Sequence, residues 1–312
     1  MIDLSVNING LTLQNPIMPA SGTFDTELAS IIDFNQLGAL VTKTFTHDLR
    51  AGNPVPRACE LPSGMLNAIG IPSKGVDYYL EHVVPFYRQF SSPLITSISA
   101  NTSAEFAALA AQLDGVPGIA GIEANISCPN IEAHGKAFAM EAESTAKVVK
   151  ALRQATKLPL WVKLTPNTSD IASVAQAAEA EGADALIVGN TILAMAIDIH
   201  TRRPKLGNIM GGYSGPAIKP IMIRMTYQCY KKVNIPIIGC GGISSVEDVI
   251  EYFLAGATAV QVGTTSFIQP SAMTQIIDEL KIYCLRHNIK HVSELTGAII
   301  DEQFEALTAL PY

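Results

Sequence analysis

Charge is scarce in this sequence of 312 residues: Asp, Glu, Lys and Arg together make up 16%, with a formal balance of −7. No run of five or more basic residues occurs. A phosphate backbone would find no electrostatic footprint, so nucleic acid is not an expected partner. Long apolar runs are missing too. None reaches the roughly 18 residues that a membrane-crossing helix needs, and no membrane association is expected. The opening residues, Met1-Ile2-Asp3-Leu4-Ser5-Val6, lack the basic and then apolar regions of a secretory signal. Five cysteines (Cys59, Cys128, Cys229, Cys240 and Cys284) stand far apart with no C-x-x-C pair. The odd number and the wide spacing argue against a disulfide framework, a zinc site or an iron–sulfur cluster on this chain, so no metal ligands are expected. A reducing cytoplasm is the expected compartment.

What is abundant is apolar material, at 48% of residues, enough for a large buried core. Asn9-Gly10, flanked by alternating apolar and polar residues, predicts an N-terminal β-hairpin. Short apolar, β-rich runs then alternate with longer helical stretches. Eight such runs end near Ala20, Lys43, Ser99, Cys128, Lys163, Asn190, Gly241 and Gly263. Continuous apolar strands mean a parallel sheet covered on both faces. Thr102-Ser-Ala-Glu105 and Ser244-Ser-Val-Glu247 read as capping boxes, and Gly38, Gly182 and Gly256 as glycines that follow helix ends. The segment Gly182–Gly189 echoes Gly256–Gly263. No G-x-G-x-x-G follows the first strand, which weakens a Rossmann sheet. The expectation is a (β/α)₈ barrel of the TIM type, a single domain over residues 1–312. Two long connections, about Thr44 to Gly75 and Thr191 to Pro216, leave the carboxyl ends of strands, where lids and substrate walls sit.

Candidate chemistry gathers at those ends. Gly239-Cys-Gly-Gly-Ile243 and Gly263-Thr264 let backbone N–H groups close on a phosphate, with the following helix N-termini adding their dipoles. These glycines do not say whether that phosphate belongs to FMN or to a phosphosugar, and tight turns alone would also use them. Lys43 and Lys163 end apolar strands, where lysine is rare unless paired. A flavin that becomes anionic on reduction would pair them, and so would a neighbouring carboxylate. Cys128 closes the fourth strand, where a modest pKa shift would make it a proton acceptor; a lone cysteine is more often inert. His134, in the following loop, reads as an exposed loop histidine. Asn67, Asn101, Asn125 and Asn190 suit a heterocycle with imide and carboxylate edges, or simply cap loops.

The run Asn125-Ile-Ser-Cys-Pro-Asn130 resembles the N-[LVI]-S-C-P-N motif of class 1 dihydroorotate dehydrogenases. The segments NPIMPASGTF (15–24), NPVPR (53–57), PSGMLNAIGIPSKG (62–75), GGYSGPAIKP (211–220), IPIIGCGGI (235–243) and AVQVGT (259–264) agree with it, so the likeness runs from about Val6 to Ser266. The resemblance implies oxidation of dihydroorotate to orotate in pyrimidine biosynthesis, with Cys128 removing the C5 proton and the C6 hydride passing to FMN. It implies substrate contacts from Lys43, Asn67, Ala68, Ile69, Gly70, Ile71, Asn125, Asn190 and Thr191. It assigns FMN to Ala20, Ser21, Gly22, Lys43, Thr44, Asn101, Asn125, Lys163, Gly189, Gly215, Gly241, Gly242, Gly263 and Thr264.

Residues 62–75 and 207–220 look most like class 1B. That implies a homodimer core working with a partner subunit that carries FAD and a 2Fe-2S cluster and passes electrons to NAD. Rival readings are a class 1A enzyme using fumarate, another FMN-dependent pyrimidine oxidoreductase, and an electron-transfer subunit inert without its partner. The loop Ile131–Phe138 departs from the more glycine-rich class 1B pattern, which puts its mobility and the acceptor preference in question.

Overall fold

A computed structural model describes residues 2–127 and 137–301. The hairpin forms as expected: Val6–Ile8 pairs antiparallel with Leu11–Leu13, and Asn9 and Gly10 both take positive φ, at 47° and 99°. Eight parallel strands follow: Ile17–Pro19, Leu40–Val41, Leu94–Ile98, Ile119–Asn125, Leu160–Lys163, Ala185–Val188, Ile237–Cys240 and Ala259–Val262. From the second to the eighth each pairs with its neighbour in sequence, and the eighth returns to the first, Val260 facing Ile17. At the seam between the first two strands, Gly38 N–H donates to Ile17 O at 2.8 Å. This is the expected (β/α)₈ barrel. Apolar side chains of both faces merge into one core running from Val6 to Leu295.

The helices Ser103–Leu113, Ala142–Ala155, Ile171–Ala180, Lys219–Tyr230, Val246–Leu254 and Ala272–Arg286 cover the sheet. Two expected start signals differ in detail. The Thr102 hydroxyl accepts from Glu105 N–H at 3.1 Å, but the Glu105 carboxylate accepts from Asn101 N–H at 2.9 Å, one residue further back. The second box sits one residue later than expected. Ser245 is the cap and Asp248 reaches back, because the chain becomes helical only at Val246 and that puts Asp248, not Glu247, at the third helical position. Gly182 and Gly256 take positive φ, 96° and 110°, as residues after a helix end. Gly38 does not. Only short 3₁₀ turns, Thr26–Ser30 and Phe34–Gln36, link the first two strands, and Gly38 is needed because a Cβ there would lie 2.0 Å from Asn15 O.

The long connections are more ordered than loops. Ala58–Leu61 and Gly64–Asn67 come from the first, and Ile192–Met195 and Met210–Ser214 from the second. They join as one four-stranded antiparallel sheet, with Asn67 opposite Gly212. This sheet roofs the carboxyl end of the barrel.

Candidate active site

Between the roof and the strand ends lies a cavity of about 650 Å³. Of the residues singled out in the sequence, Ala20, Ser21, Gly22, Lys43, Thr44, Asn67, Ile69, Gly70, Ile71, Asn125, Lys163, Asn190, Thr191, Gly215, Gly241, Gly242, Gly263 and Thr264 line it. Ala68, Asn101 and Gly189 do not. Ala68 ties the roof together, its N–H donating to Arg57 O at 2.8 Å. Asn101 is exposed at the start of a helix. Gly189, at φ 133°, is a close approach: a Cβ would lie 1.9 Å from Cys240 O. Cys128 and His134 lie outside the described residues.

The floor is polar, and much of it is absent from the sequence reading. Glu123, on the fourth strand, and Gln261, on the eighth, are fully buried. The Glu123 carboxylate accepts from Gln261 Nε2 at 2.7 Å, from Ser97 Oγ at 2.9 Å and from the Ser21 hydroxyl. Lys163 Nζ donates to Gln261 Oε1 at 2.8 Å and to Ser21 Oγ at 3.2 Å, and stands 3.8 Å from Glu123 Oε1. A carboxylate therefore does neighbour Lys163, yet Lys163 also lines the cavity. The signal for this group was available: Glu123 and Gln261 interrupt apolar strand runs, where an unpaired polar residue would be costly.

Lys43 differs from Lys163. It has no hydrogen bond or ion pair with a described residue, and burial holds its ammonium below the usual lysine value, only partly offset by Asp25. Asn67, Asn125 and Asn190 are held by Gly212 O, Thr44 Oγ1 and Thr191 N–H at 3.4, 3.3 and 2.8 Å, which leaves each with hydrogen-bonding capacity toward the cavity.

On another wall, Gly215, Gly241 and Gly242 take positive φ of 110°, 126° and 73°. Cβ atoms there would meet Gly64 Cα, Met222 Cγ and Lys219 Cβ, each at 2.7 Å. Glycine is therefore required at these three lining positions by the backbone conformation and by the neighbours packed against it. The helix after the seventh strand offers a phosphate less than the sequence suggests, since Asp248 already occupies the N–H groups of Ser244 and Ser245 at 2.7 and 3.0 Å. Other lining residues were given no role of their own in the sequence reading, among them Ser127, Thr165, Asn167, Ser214 and Phe267, and Cys240 lines the cavity as well. Burial pushes the Cys240 thiol up, against the opposing pull of Lys163, so it is protonated at neutral pH.

Barrel, lining glycines and two lysines define a class: a (β/α)₈ protein with a deep polar cavity at its strand ends. Comparison with known sequences narrows that class, because the family model for dihydroorotate dehydrogenase matches residues 3–283. The chain belongs to the dihydroorotate dehydrogenase family. It is 49% identical over 299 residues to a protein of Desulforamulus reducens, covering 95% of this chain and 98% of that one. It is 47% identical over 305 residues to a protein of Porphyromonas gingivalis, covering 97% and 99%. Both relatives are named dihydroorotate dehydrogenase B (NAD(+)), catalytic subunit, so the likeness is to class 1B. Among the described residues, no helix is long and apolar enough to cross a membrane.

Proposed function

We propose that this chain oxidises dihydroorotate to orotate in pyrimidine biosynthesis, as the FMN-bearing catalytic subunit of a class 1B enzyme. The observation that carries the reading is the union, in one cavity, of a glycine wall free of Cβ atoms and a floor cation, Lys163. A phosphate fits the first and an electron-rich ring edge fits the second. Gly215, Gly241, Gly242, Gly263 and Thr264 would hold the phosphate. Ala20, Ser21, Gly22, Thr44 and Lys163 would hold the ring. FMN, when bound, supplies the acceptor for the C6 hydride.

The chain's own groups do the rest. Asn67, Asn125, Asn190 and Thr191 would hold the dihydropyrimidine, and the roof residues Ile69, Gly70 and Ile71 would exclude water from it. Lys43 would pair with its carboxylate, which compensates the burial of that ammonium. Cys128 would take the C5 proton. The second thiol, Cys240, is a poor rival for that role because burial keeps it protonated.

The relatives' shared name, catalytic subunit, supports a second subunit as the route to NAD. That subunit would carry FAD and a 2Fe-2S cluster, with a homodimer of this chain as the core of a cytoplasmic assembly. Each copy would be a single barrel domain.

The test is an anaerobic visible spectrum of the purified chain, before and after adding dihydroorotate. A flavin spectrum that bleaches supports the reading. A flavin that stays oxidised, or failure to take up added FMN, refutes it. NAD reduction by the chain alone should be slow, and rapid reoxidation by fumarate would instead indicate a stand-alone enzyme.

A further inference from the structure

We propose that Glu123 is a positioning residue: its buried carboxylate fixes the Lys163 ammonium at the pocket floor and offsets its charge, and so sets how strongly the site favours reduced flavin. The inference rests on the FMN reading above.

Glu123 does not line the cavity, whereas Lys163 and Ser21 do. Whatever it does there, it does through them. A buried carboxylate is tolerated only when its oxygens are satisfied, and here they are. Oε1 takes the hydroxyls of Ser97 and Ser21, and Oε2 takes the amide of Gln261.

Gln261 is the link. Its Oε1 accepts from Lys163 while its Nε2 donates to Glu123. Reversing the amide would set its NH₂ against the ammonium and its oxygen against the carboxylate, so the charges on either side fix its orientation. Two of the three Lys163 N–H bonds are spent on Gln261 and Ser21. The third has no hydrogen-bond acceptor among the described residues, and Lys163 lines the cavity.

The pair sums to zero charge. A ring that gains negative charge on reduction meets a cation beside it and an anion behind that cation. Removing the anion leaves the cation unopposed.

The experiment compares the FMN-loaded chain with its Glu123→Gln variant, which keeps the side-chain shape. One readout is the flavin midpoint potential, measured against a reference dye. The other is the affinity of the oxidised flavin for sulfite, whose addition makes the ring anionic. In the variant the potential should move positive and the sulfite Kd should fall about tenfold or more, the scale of removing one charge from a partly screened site. Glu123→Asp, which keeps the charge, should stay near the parent.

An unchanged potential and sulfite Kd in folded, loaded Glu123→Gln would overturn the proposal, as would an equal shift in the charge-keeping Glu123→Asp. If Glu123→Gln cannot hold FMN, Ser97→Ala serves instead. It strips one donor from the carboxylate and should move the potential negative; no movement there would also overturn the proposal. Neither readout uses dihydroorotate, so a chain that binds FMN but fails to bleach would sink the functional reading and still decide this one. A chain that takes up no FMN would end both.

Discussion

Replacing Gly242 with alanine tests the glycine wall most directly. Gly242 has φ 73°, in the left-handed region where a Cβ costs about 1–2 kcal/mol. The added carbon would also stand 2.7 Å from Lys219 Cβ, 2.9 Å from Lys219 N and 3.0 Å from Gly215 O. Two of those three atoms are backbone, so the wall itself must shift, at an overpacking cost of about 1–3 kcal/mol. The sum, about 2–5 kcal/mol, is a large part of the roughly 5–15 kcal/mol that typically holds a domain folded. Gly10→Ala is the control: it has φ 99° and open space within 4 Å, so it should show only the conformational part. Urea unfolding monitored by circular dichroism gives the two stabilities, and quenching of FMN fluorescence gives the affinity. Gly242→Ala should be clearly less stable than Gly10→Ala and bind FMN at least about tenfold more weakly, since Gly215 is displaced with it. Equal stabilities together with parental FMN affinity would refute both the packing argument and the phosphate assignment.

Lys43→Met should raise the thermal midpoint of the ligand-free chain while weakening orotate binding; a lower midpoint would show that Lys43 has a stabilising partner. Burial depresses the Lys43 value, so its charge opposes folding at neutral pH, and the parent should gain on the variant as pH rises from the folded value toward 10.5. Cys128→Ser should slow flavin reduction by dihydroorotate about 10²–10⁴-fold near neutral pH with FMN content unchanged; full rate in stopped flow would sink the base assignment. Asp248→Asn should cost about 1–3 kcal/mol at pH 7. Burial raises that carboxyl, but hydrogen bonds from Lys219 and Ser244 outweigh it and hold it below its ordinary 3.8. Its contribution is therefore complete above 3.8 and lost as pH falls through the lower folded value, so the gap between parent and variant in urea titrations should close only in acid.

The barrel was legible in the chain because its evidence is local. Apolar β-rich runs, turn residues and glycines after helices act within a few residues of each other, and all eight strands end within three residues of where those runs end. The same holds for the hairpin at Asn9-Gly10. Local signals erred by one residue at Ser245, where the start of the helix depends on packing, and at Gly38, where the reason for glycine is a neighbour's carbonyl rather than a helix end. Most of the cavity lining was named through the family resemblance, and the barrel brings those residues together at the carboxyl ends of its strands.

What the sequence alone determined, then, was the barrel, its open end, its two lysines and its glycine wall. Tertiary structure decided how they are joined. Asn67 meets Gly212 across 145 positions to build the roof, and Gln261 meets Glu123 across 138 to build the floor. Short-range patterns carry no register for such pairs. Only closure of the barrel brings strands four and eight to face each other, and only then does a glutamate inside an apolar strand become the partner that holds Lys163 in place.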